Sequence, residues 1–76
     1  MTSKLDYAEA SMDALEETVR ASEKFGGFNS PHEGYAVILE ELDEMWDEVK
    51  ANNTPRSVEE AIQVAAMAIR YIAEFR

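Results

Sequence analysis

The sequence predicts an all-α protein, a three-helix chain forming one domain over residues 1–76. Two observations carry this. Apolar residues recur at alternating steps of three and four through three successive segments, the signature of helices with one buried stripe. The segments are separated by Gly26-Gly27 and by Asn52-Asn53-Thr54-Pro55, combinations that end helical periodicity.

Leu5, Ala8, Met12, Leu15 and Val19 place the first helix from about Ser3 to Lys24, with those five as its apolar stripe. Glu16 and Arg20 stand as a favourable i, i+4 pair on its polar side. Phe25-Gly26-Gly27-Phe28-Asn29 makes the first loop. Ser30-Pro31-His32-Glu33 then reads as a helix start: Ser30 is the N-cap, Pro31 sits where its missing N–H costs nothing, and Glu33 reaches back as a capping box. Tyr35, Ile38, Leu42, Met45 and Val49 carry this second helix to about Ala51. The third starts either at Pro55 with Thr54 as cap, or at Val58 with Ser57 as cap and Glu60 as capping-box partner. It is apolar on two sides. Val58, Ile62, Ala65, Ile69 and Ile72 form one stripe and Val64, Met67, Ala68 and Tyr71 another.

A core from 76 residues supplies only a few kcal/mol of net stability, and without cysteine no disulfide can add to it. Two-sided burial of the third helix exceeds what two short companions can cover, so a homodimer with that helix near the interface is expected. Sixteen acidic residues against seven basic ones give a net charge of −9, which opposes binding to a nucleic-acid polymer or to anionic lipid. No stretch reaches the ~20 apolar residues of a membrane span, and MTSKLDYAEA lacks a basic start followed by an apolar run. A soluble, cytoplasmic protein with no membrane partner is the expectation.

The second helix carries Glu33, Glu40, Glu41, Asp43, Glu44, Asp47 and Glu48 with no Lys or Arg before Lys50. Like charges three or four residues apart cost roughly 0.2–0.5 kcal/mol per exposed pair. At about 100° per residue, Glu41, Glu44 and Glu48 share a line beside the apolar seam with Val37, while Glu40, Asp43 and Asp47 point outward. Carboxylates so placed, joined by oxygens from a neighbouring helix, make the hard-oxygen environment that Mg²⁺ or Mn²⁺ prefers. A solvated acidic face produces the same pattern.

Glu40-Glu41-Leu42-Asp43-Glu44, followed after fifteen residues by Glu60-Ala61-Ile62-Gln63, resembles the E-E-x-x-E…E-x-x-D signature of the MazG-like nucleoside triphosphate pyrophosphohydrolases. The flanking SPHEGYAVILEELDEMWDEV and EAIQVAAMAIRYI are similar to small members of that group, so the resemblance spans Phe28 to Ile72. It implies that the two motifs lie on adjacent antiparallel helices and bind Mg²⁺, with Mn²⁺ as a substitute. The ion holds a nucleoside triphosphate while water attacks the α-phosphorus, releasing pyrophosphate and a monophosphate. By the same resemblance Glu41, Glu44 and Glu60 are metal ligands, and Gln63, where the family has Asp, offers a carbonyl oxygen without a charge. Glu40 is the carboxylate placed to accept a proton. Glu60 has the capping box as its other role. Retention of the fold without catalysis, as an acidic module acting through protein contacts, is the rival that Gln63 suggests.

Among the remaining residues, Lys50, Arg56 and Arg70 are candidates for phosphate contact, since cations are few. Arg70 could equally pair with Glu74 or with an acid on the first helix. His32 is a candidate for phosphate or base contact. Phe25, Phe28, Tyr35 and Trp46 are candidates for stacking on a nucleobase, with Phe28 in the glycine loop the least settled between that and packing.

Overall fold

The computed structural model describes all 76 residues as three α-helices without strands: α1 (Lys4–Phe25), α2 (Pro31–Lys50) and α3 (Thr54–Phe75). No helix is long and apolar enough to cross a membrane. α3 packs against both others, while α1 and α2 do not pack on each other, so they stand as two walls on one floor.

The ends of the helices are fixed locally. Ser3 caps α1 through a reciprocal box in which Asp6 N–H donates to Ser3 Oγ (3.2 Å) and Ser3 N–H donates to Asp6 Oδ2 (2.8 Å). Gly26 ends α1 at φ 72°, a conformation costly for a side chain with a Cβ. Ser30 caps α2 by accepting from Glu33 N–H at 3.1 Å. The expected capping box is displaced by one residue: the Glu33 carboxylate accepts from Asn29 N–H (3.1 Å) and Asn29 Nδ2 (2.8 Å), not from the cap. Asn52, at φ 57°, turns the chain into α3, and Asn53 caps that helix by accepting from Arg56 N–H at 3.2 Å. Neither Thr54 nor Ser57 is the cap. Ser57 lies inside the helix and its hydroxyl donates to the Thr54 carbonyl (2.7 Å), which releases Glu60 from the capping role.

Hydrophobic periodicity misplaces the seam of α1. The helix meets α3 through Ala14 and Ala21, both buried, with Thr18 Oγ1 donating to the carbonyl of Ala14. Small side chains let the two backbones approach closely. Leu5, Met12, Leu15 and Val19 instead remain exposed, Leu15 and Val19 at 47%. Arg20 pairs with Glu17, not Glu16, through a two-pronged contact with Nε–Oε1 at 2.8 Å and Nη2–Oε2 at 2.5 Å. The expected stripe of α2 is divided as well: Ile38 and Met45 turn partly inward, whereas Tyr35, Leu42 and Val49 stay exposed beside Leu39 and Trp46.

What core exists is thin. Ala21, Ala66 and Met67 form it, with Phe28, Val37 and Ile38 packed around them. Gly34 admits α3 closely, since a Cβ there would lie 2.7 Å from Tyr71 Cδ2. Of the two apolar sides of α3, Met67 is enclosed, while Val58 and Ile72 at the ends of the other remain exposed.

Candidate metal centre

Antiparallel packing of α2 on α3 brings Glu41, Glu44 and Glu60 together, with one carboxylate oxygen from each lying within 4.8 Å of the others. Glu41 and Glu60 are half-buried and Glu44 is exposed. Glu60 Oε2 is buried without a hydrogen-bond partner. Burial, and then the charges of Glu44 and Glu60, push Glu41 up to about 7. Glu60 is raised for the same reasons, burial first, with the Arg56 charge one turn earlier on α3 partly offsetting them. Three carboxylates that cannot comfortably all ionise, one with an orphaned buried oxygen, fit a hard divalent cation by their donor chemistry. Glu48, which the helical count aligned with Glu41 and Glu44, is half-buried but outside this group.

Beside this cluster, α1 and α2 enclose a groove of about 360 Å³ floored by α3. Glu40 and Glu41 line one wall, Glu17 and Phe25 the other, and Gln63, Met67 and Arg70 the floor. Gln63 is turned towards α1. Its amide lies beside Glu17, and with Arg20 as the larger cause it holds the Glu17 carboxyl below the usual range. Glu40 is exposed at the rim.

Arg70 reaches the groove floor but is occupied. It is only 5% exposed, with its guanidinium stacked 4.4 Å from the centroid of Phe28. Nη2 donates to the Gly26 carbonyl and Nε stands 3.5 Å from Glu74 Oε2. The ion pair with Glu74 decides between the two partners open to it. Glu74 in turn accepts from Phe28 N–H at 2.6 Å, so these residues lock the first loop onto the end of α3. Phe28 lies parallel to Phe75 at 6.4 Å, carries Arg70 over its face and also lines the groove. Phe25 is exposed and lines the groove, with Lys24 Nζ 5.1 Å from its ring centroid.

Two of the candidate substrate contacts are elsewhere. Lys50 closes α2, 3.4 Å from Asp47 and 5.7 Å from the Trp46 ring. His32 is exposed in the first turn of α2 and does not line the groove. Glu17 was not anticipated. Its signal is the small-residue seam Ala14, Glu17, Ala21, stepping by three and four on the side of α1 away from its large apolar residues.

No protein-family model, no curated protein and no solved structure matches this chain.

Proposed function

We propose that the chain is a Mg²⁺-dependent pyrophosphohydrolase of nucleoside triphosphates, with Mn²⁺ as a substitute, acting as a homodimer. The observation that carries this is the partnerless buried oxygen of Glu60 within reach of Glu41 and Glu44, in a cluster whose burial and mutual repulsion push Glu41 up to about 7. The MazG-like spacing of the same three residues supports it.

In this reading Glu41, Glu44 and Glu60 hold the cation. When bound, the cation neutralises phosphate charge and acidifies water. Glu40, exposed at the rim, accepts the proton of the attacking water at a carboxylate oxygen. Arg56, on the same face of α3 one turn before Glu60, faces the departing pyrophosphate in place of Lys50. The groove walled by Ala21, Phe25 and Val37 receives the nucleoside, whose base lies against Phe25.

Titration of Mg²⁺ and Mn²⁺ into the protein, with pyrophosphate release followed over a panel of triphosphates, tests the proposal. The expected result is metal binding with turnover, both lost in Glu41→Gln and Glu44→Gln. Turnover without divalent cation, or unchanged in both variants, overturns it. The engagement of Gln63 with Glu17 favours a second reading, a non-catalytic module of the same fold acting through protein contacts. That reading predicts no pyrophosphate release from any triphosphate.

A further inference from the structure

The groove between α1 and α2 is a ladder whose rungs alternate in chemistry. α1 runs parallel to α3, since Glu17 stands beside Gln63 and the Arg70 guanidinium reaches the Gly26 carbonyl. α2 runs antiparallel, since Glu41 meets Glu60 and Gly34 meets Tyr71. The first rung is therefore the carboxylate cluster. Glu17 and Gln63 form the second, Ala21, Val37 and Met67 the third, and Phe25, Glu33 and Arg70 the last. Along α3, the steps from Glu60 to Gln63, Met67 and Arg70 are about 4.5, 6 and 4.5 Å. A nucleotide whose α-phosphate meets a cation at the first rung falls within this run. Its sugar lies at the second, the faces of its base against the apolar third, and the far edge of the base at the last.

What meets that edge is an acceptor. Arg70 is rich in donors, but Nη2 is given to the Gly26 carbonyl, Nη1 to Met67 Sδ at 3.4 Å, and Nε is buried beside Glu74. Glu33 is left. Asn29 holds its carboxylate from the loop, N–H donating to Oε1 at 3.1 Å and Nδ2 to Oε2 at 2.8 Å, so the group is oriented before any ligand arrives. A carboxylate has about four lone-pair sites, and these bonds leave one free on each oxygen.

We propose that the groove selects nucleosides whose base carries an amino group at that edge, cytosine or adenine, with Glu33 accepting a hydrogen bond from it. The inference deepens the proposed function and rests on its placement of the nucleoside, not on its metal chemistry. In uracil, thymine and hypoxanthine a carbonyl oxygen stands where that amino group would be. Two acceptors then face each other with no proton between them, and both go unsatisfied. Discrimination of roughly tenfold follows from one such contact. Glu17 and Glu40, on the walls nearer the cluster, are acceptors too, so the groove as a whole favours a ligand that presents donors.

Pairs of equal size test it. Cytidine against uridine, and adenosine against inosine, are titrated without metal into isotope-labelled protein while the Asn29 side-chain amide is followed by NMR; kcat/KM for CTP and UTP is measured in Mg²⁺. Expected are a shift of the Asn29 amide, binding of the amino nucleoside about tenfold tighter in each pair, and the same ordering in kcat/KM. Glu33→Gln, whose amide both donates and accepts, should bring each ratio close to one. Equal binding within the pairs, preference for uridine or inosine, or no shift with any nucleoside overturns this inference and leaves the hydrolase reading to the turnover assay. Displacement of cytidine by an equal concentration of propylammonium overturns it as well, because the groove would then be reading charge. Selective binding without turnover of any triphosphate sinks the hydrolase reading and upholds this one. The wild-type pairs decide the matter even where Glu33→Gln fails to fold.

Discussion

Glu41 links the stability of the chain to pH. Its carboxyl is held near 7 in the folded protein by burial and by Glu44 and Glu60, against 4.5 when free, so the folded state binds the extra proton. The stability associated with that proton is complete below about pH 4.5 and lost as pH rises through about 7. Without divalent cation, thermal unfolding should therefore show Tm falling from pH 5 to pH 7.5. Glu41→Gln should flatten this dependence and stabilise the cation-free protein at pH 7.5 by on the order of 2 kcal/mol. Protons and cation compete for the same oxygens, so Mg²⁺ affinity should rise over the same interval, as titration at several pH values would show. A slope identical in wild type and variant would contradict the assignment. Gly34 is the other residue whose role is decided by contact: Gly34→Ala should cost about 1–3 kcal/mol in denaturant unfolding, because Tyr71 occupies the space of a Cβ.

Among the elements, α3 depends on Asn53 for its start and α1 on small residues for its seat. Asn53→Ala should cost about 1 kcal/mol, measured by denaturant unfolding, since Asn53 accepts from Arg56 N–H. A substitution at Thr54 should not reproduce that loss, although Thr54 was one of the two caps the sequence offered. On α1, Ala14→Leu should push the helix away from α3 and destabilise by about 1–3 kcal/mol, whereas a large residue is already carried at Leu15 without being enclosed. The contrast arises because the seam of α1 is selected by how closely backbones can approach, and not by which side of the helix is most apolar. Its polar pairing follows suit: Glu17, not Glu16, takes Arg20 because Glu17 stands at the groove wall beside Gln63.

At the scale of the molecule, a thin core is supplemented by a polar lock. Arg70, enclosed by Phe28, Glu74 and the Gly26 carbonyl, fastens the α1–α2 loop to the last turns of α3. Arg70→Ala would leave Glu74 and the loop carbonyl without that partner. A loss of about 3 kcal/mol is expected in thermal or denaturant unfolding, a large part of the stability of a chain this size. The lock explains why an arginine sits on a helix otherwise so apolar.

By itself the sequence determined three helices and the loops between them, with boundaries to within a residue or two except the start of α3, which it left open between Pro55 and Val58. Capping groups, glycines and three–four spacing act over a single turn and need no tertiary partner. It also placed Glu41 and Glu44 on one line, since that depends only on helical geometry. The resemblance in motif spacing added Glu60, and only packing decided that Glu60 completes the cluster instead of capping α3. Packing likewise decided that Ala14 and Ala21 make the seam of α1, that Arg70 stacks on Phe28, and that Glu17 lines the groove. The physical reason is common to all of these. A periodic pattern shows that a helix has an apolar side, but which side meets which neighbour is set by close approach across segments distant in sequence, and local spacing carries no record of that distance.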